Sequence, residues 1–253
     1  MTPAQEAHPP ALDVRGLVKE FRGRGVVRAV DGLDLRVARG EVVAFLGPNG
    51  AGKTTTIDLA LGLARPTSGS VRVLGQAPAD AVAAGRVAAV MQSGGLLRDL
   101  TVGETVRLTA ALFGTDRDVR ADLERAGIAD LGRRRVGRCS GGQQQRLRFA
   151  MALVSEPDLL FLDEPTTGMD VMGRRDFWSA VRADAARGRT VVFATHYLDE
   201  AELYADRVVV VNRGRVVADG TAEQIRHDAG VRTLEDAFVR LTSAAGTSAG
   251  GAR

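Results

Sequence analysis

The sequence predicts an α/β protein: a core of buried strands, an antiparallel β subdomain ahead of it and an α-helical subdomain set into it. Three observations carry that expectation. Short apolar runs at Val42–Leu46, Leu159–Leu162 and Thr190–Ala194 read as strands buried on both faces. Ahead of the first run, Leu12–Phe21 and Val26–Val37 alternate apolar and polar residues, as half-buried antiparallel strands do. Residues 99–156, by contrast, are poor in strand signals and carry helical spacing.

A chain of 253 residues with 45% hydrophobic residues can bury one substantial core. Its longest apolar runs, such as Val208–Val211 and Phe149–Val154, fall far short of the ~20 residues that a membrane helix needs, so no span is expected. Met1–Pro10 is polar, contains three prolines and does not resemble a signal peptide. Residues 1–11 are expected to form a disordered tail. The single Cys139 excludes an internal disulfide and fits a reducing compartment. The net charge is +3, but 31 acidic residues are interspersed with the basic ones. The one dense basic cluster, Arg133–Arg135 with Arg138, reads as a solvated face, so no direct nucleic-acid contact is expected.

Within the leading antiparallel unit Phe21 stands among charged neighbours, and packing under the sheet would account for it. Next, Gly47-Pro48-Asn49-Gly50-Ala51-Gly52-Lys53-Thr54 joins the run Val42–Leu46 to the helix-like stretch Thr55–Leu63. This is the P-loop pattern G-x-x-x-x-G-K-[ST] in its strand-loop-helix setting. Glycines let backbone N–H groups turn inward on a phosphate chain, and the following helix adds the positive end of its dipole. Lys53 offers a compact charge to the β and γ phosphates, and the Thr54 hydroxyl can ligate Mg²⁺. Lys19 and Lys53 are the only lysines among 34 basic residues, so a lysine kept here points to a point-charge requirement.

After the P-loop unit, Pro66–Gly69 turns the chain into the strand Val71–Leu74, and Arg86–Met91 reads as a buried strand that delivers Gln92. Thr101 and Glu104 form a capping box for a helix whose apolar positions include Val102, Val106 and Phe113, and a second short helix is expected over Val119–Ala126. The last helix of this subdomain begins at Ser140-Gly141-Gly142-Gln143. Ser140 and Gln143 also satisfy a capping box, so a cap and an anion site both account for them. The paired glycines, each costing about 1 kcal/mol in a helix relative to alanine, favour close approach by another group.

The strand Leu159–Leu162 meets the carboxylates Asp163 and Glu164 at its end. Beside a P-loop, Asp163 reads as a Mg²⁺ holder and Glu164 as the group that polarises the attacking water. Thr190–Ala194 delivers Thr195 and His196. Gly47, Gln92, Asp163 and His196 each follow a core strand, and in an open α/β sheet those carboxyl ends form the ligand-binding edge, so the four should converge. Beyond them, Arg207–Val211 and Arg215–Ala218 read as a hairpin around Asn212-Arg213-Gly214, with short amphipathic helices over Thr221–Asp228 and Thr233–Leu241. Residues 243–253, rich in Gly, Ala, Ser and Thr, read as a flexible end.

Taken together, these motifs resemble the nucleotide-binding subunit of an ATP-binding cassette (ABC) transporter over Leu12–Thr242. That resemblance implies a RecA-like P-loop NTPase core. Gly47–Thr54 matches Walker A, with Thr55 beside it; Gln92 matches the Q-loop, Ser140–Gln143 the signature and Leu159–Glu164 Walker B. Thr167–Asp170 matches the D-loop and His196 the switch histidine, while Phe21 falls where the family stacks adenine. Met91–Gly95, Thr195–Glu202 and Leu234–Phe238 are similar to the drug-exporter branch. Two positions depart from the pattern: Cys139 stands where leucine is usual, and Val171 where proline is common.

The resemblance implies ATP and Mg²⁺ as ligands, with Glu164, His196 and Gln92 catalytic and Thr54, Gln92 and Asp163 at the metal. It also implies a head-to-tail homodimer in which Ser140–Gln143 and Asp170 complete the partner's site. The loop after Gln92, Ser93–Asp99, would contact a transmembrane permease, holding the subunit peripherally at the cytoplasmic face of the membrane. A cassette acting on nucleic acid or ribosomes is the rival reading, although such relatives usually carry tandem cassettes or long coiled-coil inserts. A P-loop kinase would need neither the signature nor His196.

Overall fold

The computed structural model describes residues 9–23, 25–91 and 95–244. Gln92, together with Ser93 and Gly94, lies outside the described residues, as do 1–8 and 245–253. Ala11 is already buried and donates its N–H to Val37 O at 2.9 Å.

Strands β1 (Leu12–Arg22) and β2 (Val26–Val37) pair antiparallel, and β4 (Ser68–Val73) joins the other edge of β1. β4 begins at Ser68, three residues before the expected Val71, because pairing reaches back to Val18 opposite Ser68. The second sheet has β3 (Val42–Leu46) near its centre, between β7 (Thr190–Thr195) and β8 (Arg207–Asn212). β6 (Leu159–Asp163) and β5 (Val87–Val90) continue it in parallel on the β7 side, and β9 (Arg215–Gly220) closes the other side antiparallel to β8. The order is β5-β6-β7-β3-β8-β9. The β8–β9 hairpin turns through Arg213 and Gly214, both left-handed at φ 51° and 78°, which is the geometry of a tight two-residue hairpin.

This sheet is buried on both faces, which is why its strands read as unbroken apolar runs. Val42, Ala44 and Leu46 face one core with Leu160, Leu162 and Phe193, whereas Val43 and Phe45 face a second with Phe161, Val192 and Val209. The second core is closed by α1 (Lys53–Ala60) and the antiparallel sheet. The first is closed by helices: α3 (Val102–Leu112), α4 (Val119–Arg125), α5 (Gly141–Leu153), α6 (Val171–Ala185) and α7 (Leu198–Tyr204). The Thr101–Glu104 capping box starts α3, with Glu104 N donating to Thr101 Oγ1 at 3.2 Å and Thr101 N to Glu104 Oε2 at 2.8 Å. A short α2 (Pro78–Ala83) precedes β5, and α8 (Ala222–Ala229) and α9 (Leu234–Ala244) end the described chain.

Residues 171–189, for which the sequence reading gives no element, form α6 and the turn after it. Its signals are Asp170 as N-cap, accepting from Gly173 N at 2.6 Å, and the buried stripe Phe177, Trp178, Val181 and Ala185. Trp178 stacks on Tyr204 with ring centroids 5.1 Å apart and meets Phe193 at 4.4 Å, fixing α6 against β7 and α7.

A charged knot joins the helical insert to the sheet. Glu156, between α5 and β6, accepts from Arg117 at 2.7 Å, Arg125 at 2.8 Å and Arg189 at 2.9 Å. Asp184 of α6 takes Arg125 at 2.6 Å and also bonds Arg189. Desolvation alone would raise the Glu156 carboxyl, but hydrogen bonds and charge from the three arginines outweigh it and hold its pKa at about 2. A carboxyl lowered in the folded state stabilises above its unfolded value of 4.5, and that contribution disappears as pH falls through about 2. Glu156→Gln is therefore expected to have a lower denaturant midpoint than the parent at pH 7, with the gap closing between pH 4.5 and pH 2. A gap that is constant across a urea titration series at those pH values would contradict this role for the knot.

Candidate nucleotide site

β3 ends at Leu46, and the chain turns through Gly47–Gly52 before α1 starts at Lys53. Gly50 and Gly52 are left-handed at φ 79° and 102°, a conformation that glycine adopts without strain. The loop is wedged between backbone segments. A Cβ on Gly47 would lie 2.4 Å from Val211 O, and one on Gly52 would lie 2.3 Å from Ala29 O. The β8–β9 turn seals this contact: Gly214 N donates to Ala51 O at 2.9 Å while Gly214 O accepts from Asp31 N at 2.9 Å.

Lys53 is 8% exposed, and its Nζ donates to Gly47 O at 2.6 Å and Pro48 O at 3.2 Å. Burial lowers its pKa, opposed by the nearby carboxylates of Glu164 and Asp163. Thr54 Oγ1 donates to Asp163 Oδ2 at 3.1 Å, so the P-loop hydroxyl and the β6 carboxylate form one oxygen pair. Burial raises the Asp163 carboxyl above its usual range, while the Thr54 hydrogen bond lowers it in part. A desolvated carboxylate beside a hydroxyl, both hard oxygen donors, fits a Mg²⁺ ion that takes its remaining ligands from phosphate and water.

Glu164 follows at φ 51°, left-handed for a residue with a Cβ, a strain of about 1–3 kcal/mol of the kind that clusters at functional sites. Its N–H is anchored on Ala194 O of β7 at 2.9 Å, and its Oε2 is bonded to His196 Nδ1. The His196 ring lies against Tyr197 with centroids 4.0 Å apart, and the Arg174 guanidinium covers the Tyr197 ring at 4.9 Å. Gly47 and His196 thus follow, and Asp163 ends, three adjacent parallel strands at one sheet edge, as strand order requires. A cavity of about 330 Å³ is lined by Asn49–Thr55, Asp163, Glu164 and Val27–Ala29. Phe21 is paired with Val27 at the tip of β1–β2; it is 48% exposed, with Lys19 Nζ 5.1 Å from its ring centroid, and it stands beside that lining without being part of it.

Ser140–Gln143 sit elsewhere. Ser140 caps α5, with Gln143 N donating to Ser140 Oγ at 3.3 Å and Ser140 N to Gln143 Oε1 at 3.0 Å. Gln143 Oε1 also accepts from Arg134 at 3.4 Å, so its amide is held by the cap. A Cβ on Gly142 would meet Met169 Cγ at 3.3 Å, so the missing side chain makes room for the loop before α6. Ser140, Gly141, Gly142 and Gln143 line a cavity of about 540 Å³ with Gly168–Asp170, and no residue is shared with the P-loop cavity. The two departures are accommodated: Cys139 is buried as a small apolar side chain, its thiol pKa pushed up by burial, and Val171 occupies the first position of α6, where proline is also at home.

Residues 30–167 match the family model described as ABC transporter. This chain belongs to the ABC transporter family. It is an ATP-binding subunit of that family. It is 44% identical over 228 residues to the daunorubicin resistance ATP-binding protein DrrA3 of Streptomyces coeruleorubidus, covering 87% of this chain and 71% of that one. It is 42% identical over 210 residues to the Nod factor export ATP-binding protein I of Paraburkholderia xenovorans, covering 80% and 68% respectively. Among solved structures, an ATP-binding subunit of an ABC transporter superposes with a TM-score of 0.79 at 29% identity, covering 91% of this chain and 99% of that one. Among the described residues, no helix of the ABC subunit is long and apolar enough to cross a membrane.

Sequence reasoning missed the part that Val211 and Gly214 play in this ABC site. They shape the P-loop through backbone atoms from ~160 residues away, and such contacts leave no side-chain signature beyond the hairpin turn itself. Gly47→Ala is expected to lose about 1–3 kcal/mol of stability, the usual range for overpacking, and to weaken ATP binding. Chemical denaturation and nucleotide titration check both, and a variant unchanged in both would refute the close approach.

Proposed function

We propose that this chain hydrolyses ATP to ADP and phosphate as half of a head-to-tail dimer, and thereby drives export of hydrophobic, drug-like compounds through a separate membrane permease. The observation that carries the reading is the pair of unlike cavities. One holds the buried Lys53, Thr54 and the Asp163–Glu164 edge; the other holds the α5 N-terminus with Ser140. A triphosphate cradled in the first leaves its γ end to be capped by the second from another copy, with Gly141, Gly142, Gln143 and Asp170 beside it. Both halves are present in one chain, so a homodimer suffices.

In this reading Phe21 stacks the adenine, Gly47–Gly52 with Thr55 wrap the phosphates, and Lys53 turns its ammonium from the loop carbonyls to the β and γ oxygens. Thr54 and Asp163, with Gln92, would hold Mg²⁺, which when bound would neutralise charge on those oxygens. Glu164 orients a water in line with the γ-phosphorus. As the water oxygen bonds to phosphorus, the bond to the β–γ bridging oxygen breaks, and the carboxylate takes the water's proton. His196, donating through Nδ1 to Glu164 Oε2, holds that carboxylate with Oε1 left for the water.

Two relatives, one named for daunorubicin resistance and the other for Nod factor export, support export as the direction. The segment from residue 93 to 99, which comes after β5 in the chain, is the proposed permease contact, and such a contact would hold the subunit peripherally at the inner face of the membrane. Stimulation of ATP turnover by a co-expressed membrane protein is expected, and stimulation by DNA or ribosomes instead would overturn the transport reading.

Glu164→Gln is expected to bind ATP, to stabilise the dimer and to lose ~10²- to 10⁴-fold in turnover. Wild-type turnover in that variant would remove Glu164 from the chemistry. Lys53→Ala should weaken nucleotide binding in equilibrium titration, and an unchanged affinity would argue against the phosphate cradle.

A further inference from the structure

Glu200 is a buried carboxylate, 2% exposed, in the first turn of α7. At that position a glutamate normally reaches back to the N–H of the capping residue and closes a capping box. Here it does not. The N–H of Tyr197, the capping residue of α7, is taken by Thr195 Oγ1 at 3.0 Å, and the same hydroxyl donates to Glu200 Oε2 at 2.9 Å. The other oxygen, Oε1, accepts from Thr166 Oγ1. Glu200 therefore points inward and bonds two hydroxyls, one on each of two chain segments.

Those segments are the ones that carry the proposed water-orienting carboxylate and its histidine. Thr166 lies two residues after Glu164, in the loop leaving β6, and Thr195 immediately precedes His196 at the end of β7. Each segment leaves its strand abruptly: Glu164 is left-handed at φ 51°, its N–H held across to β7 by Ala194 O at 2.9 Å, and His196 is half exposed. The Glu164–His196 bond joins the two groups only at their exposed tips, so the separation of the strand ends beneath them needs a second tie. Reacting groups misplaced by 1 Å commonly lose ~10²-fold in rate.

We propose that Glu200 is the positioning residue for the Glu164–His196 pair, its carboxylate clamping the Thr166 and Thr195 hydroxyls so that the two strand ends hold one separation. The inference rests on the proposed roles of Glu164 and His196. Glu200 bonds the Thr166 and Thr195 hydroxyls and acts through them.

The test is a double-mutant cycle on the full chain, with ATP turnover measured at saturating nucleotide and in single-turnover mode. Glu200→Gln keeps the size of the side chain but replaces one acceptor by a donor. It is expected to lower kcat ~10- to 100-fold with KM for ATP changed less than twofold, and to add nothing to the loss in Glu164→Gln. Losses that multiply in the double variant, or a wild-type kcat in Glu200→Gln, would overturn the clamp. If Glu164→Gln alone turns over at the wild-type rate, it is the underlying catalytic reading that fails. Should Glu200→Gln be too unstable to assay, Thr166→Val and Thr195→Val each remove one arm and leave the carboxylate. Lowered kcat with unchanged KM in both supports the clamp, and unchanged kcat in either refutes it.

Discussion

The P-loop turn, Asp163 and His196 are forced to the carboxyl ends of the central strands by one constraint: those strands are buried on both faces. β3 is buried along its whole length, flanked by β7 and β8 and covered by helices on one side and by α1 and a second sheet on the other. A charged side chain inside such strands would be desolvated without partners, at a cost that few pairings offset. The strand ends are the first place where backbone and carboxylates regain acceptors, donors and solvent. Three adjacent ends therefore collect Gly47, Asp163 and His196, and the shape of the site follows from strand order.

Two kinds of support hold that edge. The P-loop is gripped by backbone: Val211 O and Ala29 O stand where Cβ atoms on Gly47 and Gly52 would be, and Gly214 bridges Ala51 to Asp31. Such contacts have no rotamers to change, so the loop's shape does not depend on side-chain conformation. The Glu164–His196 pair is held by one backbone bond across to Ala194 O and otherwise by side chains: Tyr197 with Arg174, and the hydroxyls bonded to Glu200. Side-chain ties can be remade when a loop moves. The candidate site thus joins a loop shaped by backbone contacts to a carboxylate–imidazole pair tied by side chains.

The sequence made the local parts of this arrangement legible and hid the distant ones. Gly47–Thr54 and Asp163–Glu164 announce themselves because residue type and spacing follow from the chemistry of a phosphate and a divalent ion within a few residues. The Thr101 cap and the β8–β9 turn were readable for the same reason: each is a local hydrogen-bonding or φ requirement written in adjacent residues. α6 escaped because its polar N-terminal half, Gly173–Asp176, dilutes the stripe of Phe177, Trp178 and Val181 that buries it. Glu200 was unreadable for a different reason: its position signals an ordinary helix cap, and only the fold brings Thr166 within reach.

At Ser140–Gln143 the capping box is formed, and its geometry is compatible with the proposed anion site. A helix leaves its first N–H groups without intrahelical acceptors. In α5 the capping box uses the N–H of Gln143, through Ser140 Oγ, and the N–H of Ser140, through Gln143 Oε1. Gly141 and Gly142 lie between these two, in the first turn at the positive end of the helix dipole. The cap fixes the turn, and the glycines keep its N–H groups uncovered by side chains of their own. A box built from Ser and Gln carries no charge, so it leaves the dipole unneutralised, where an Asp or Glu in the same place would repel a phosphate. The cap and the proposed anion site are one device, and a second copy of the chain is what would bring a γ-phosphate to it.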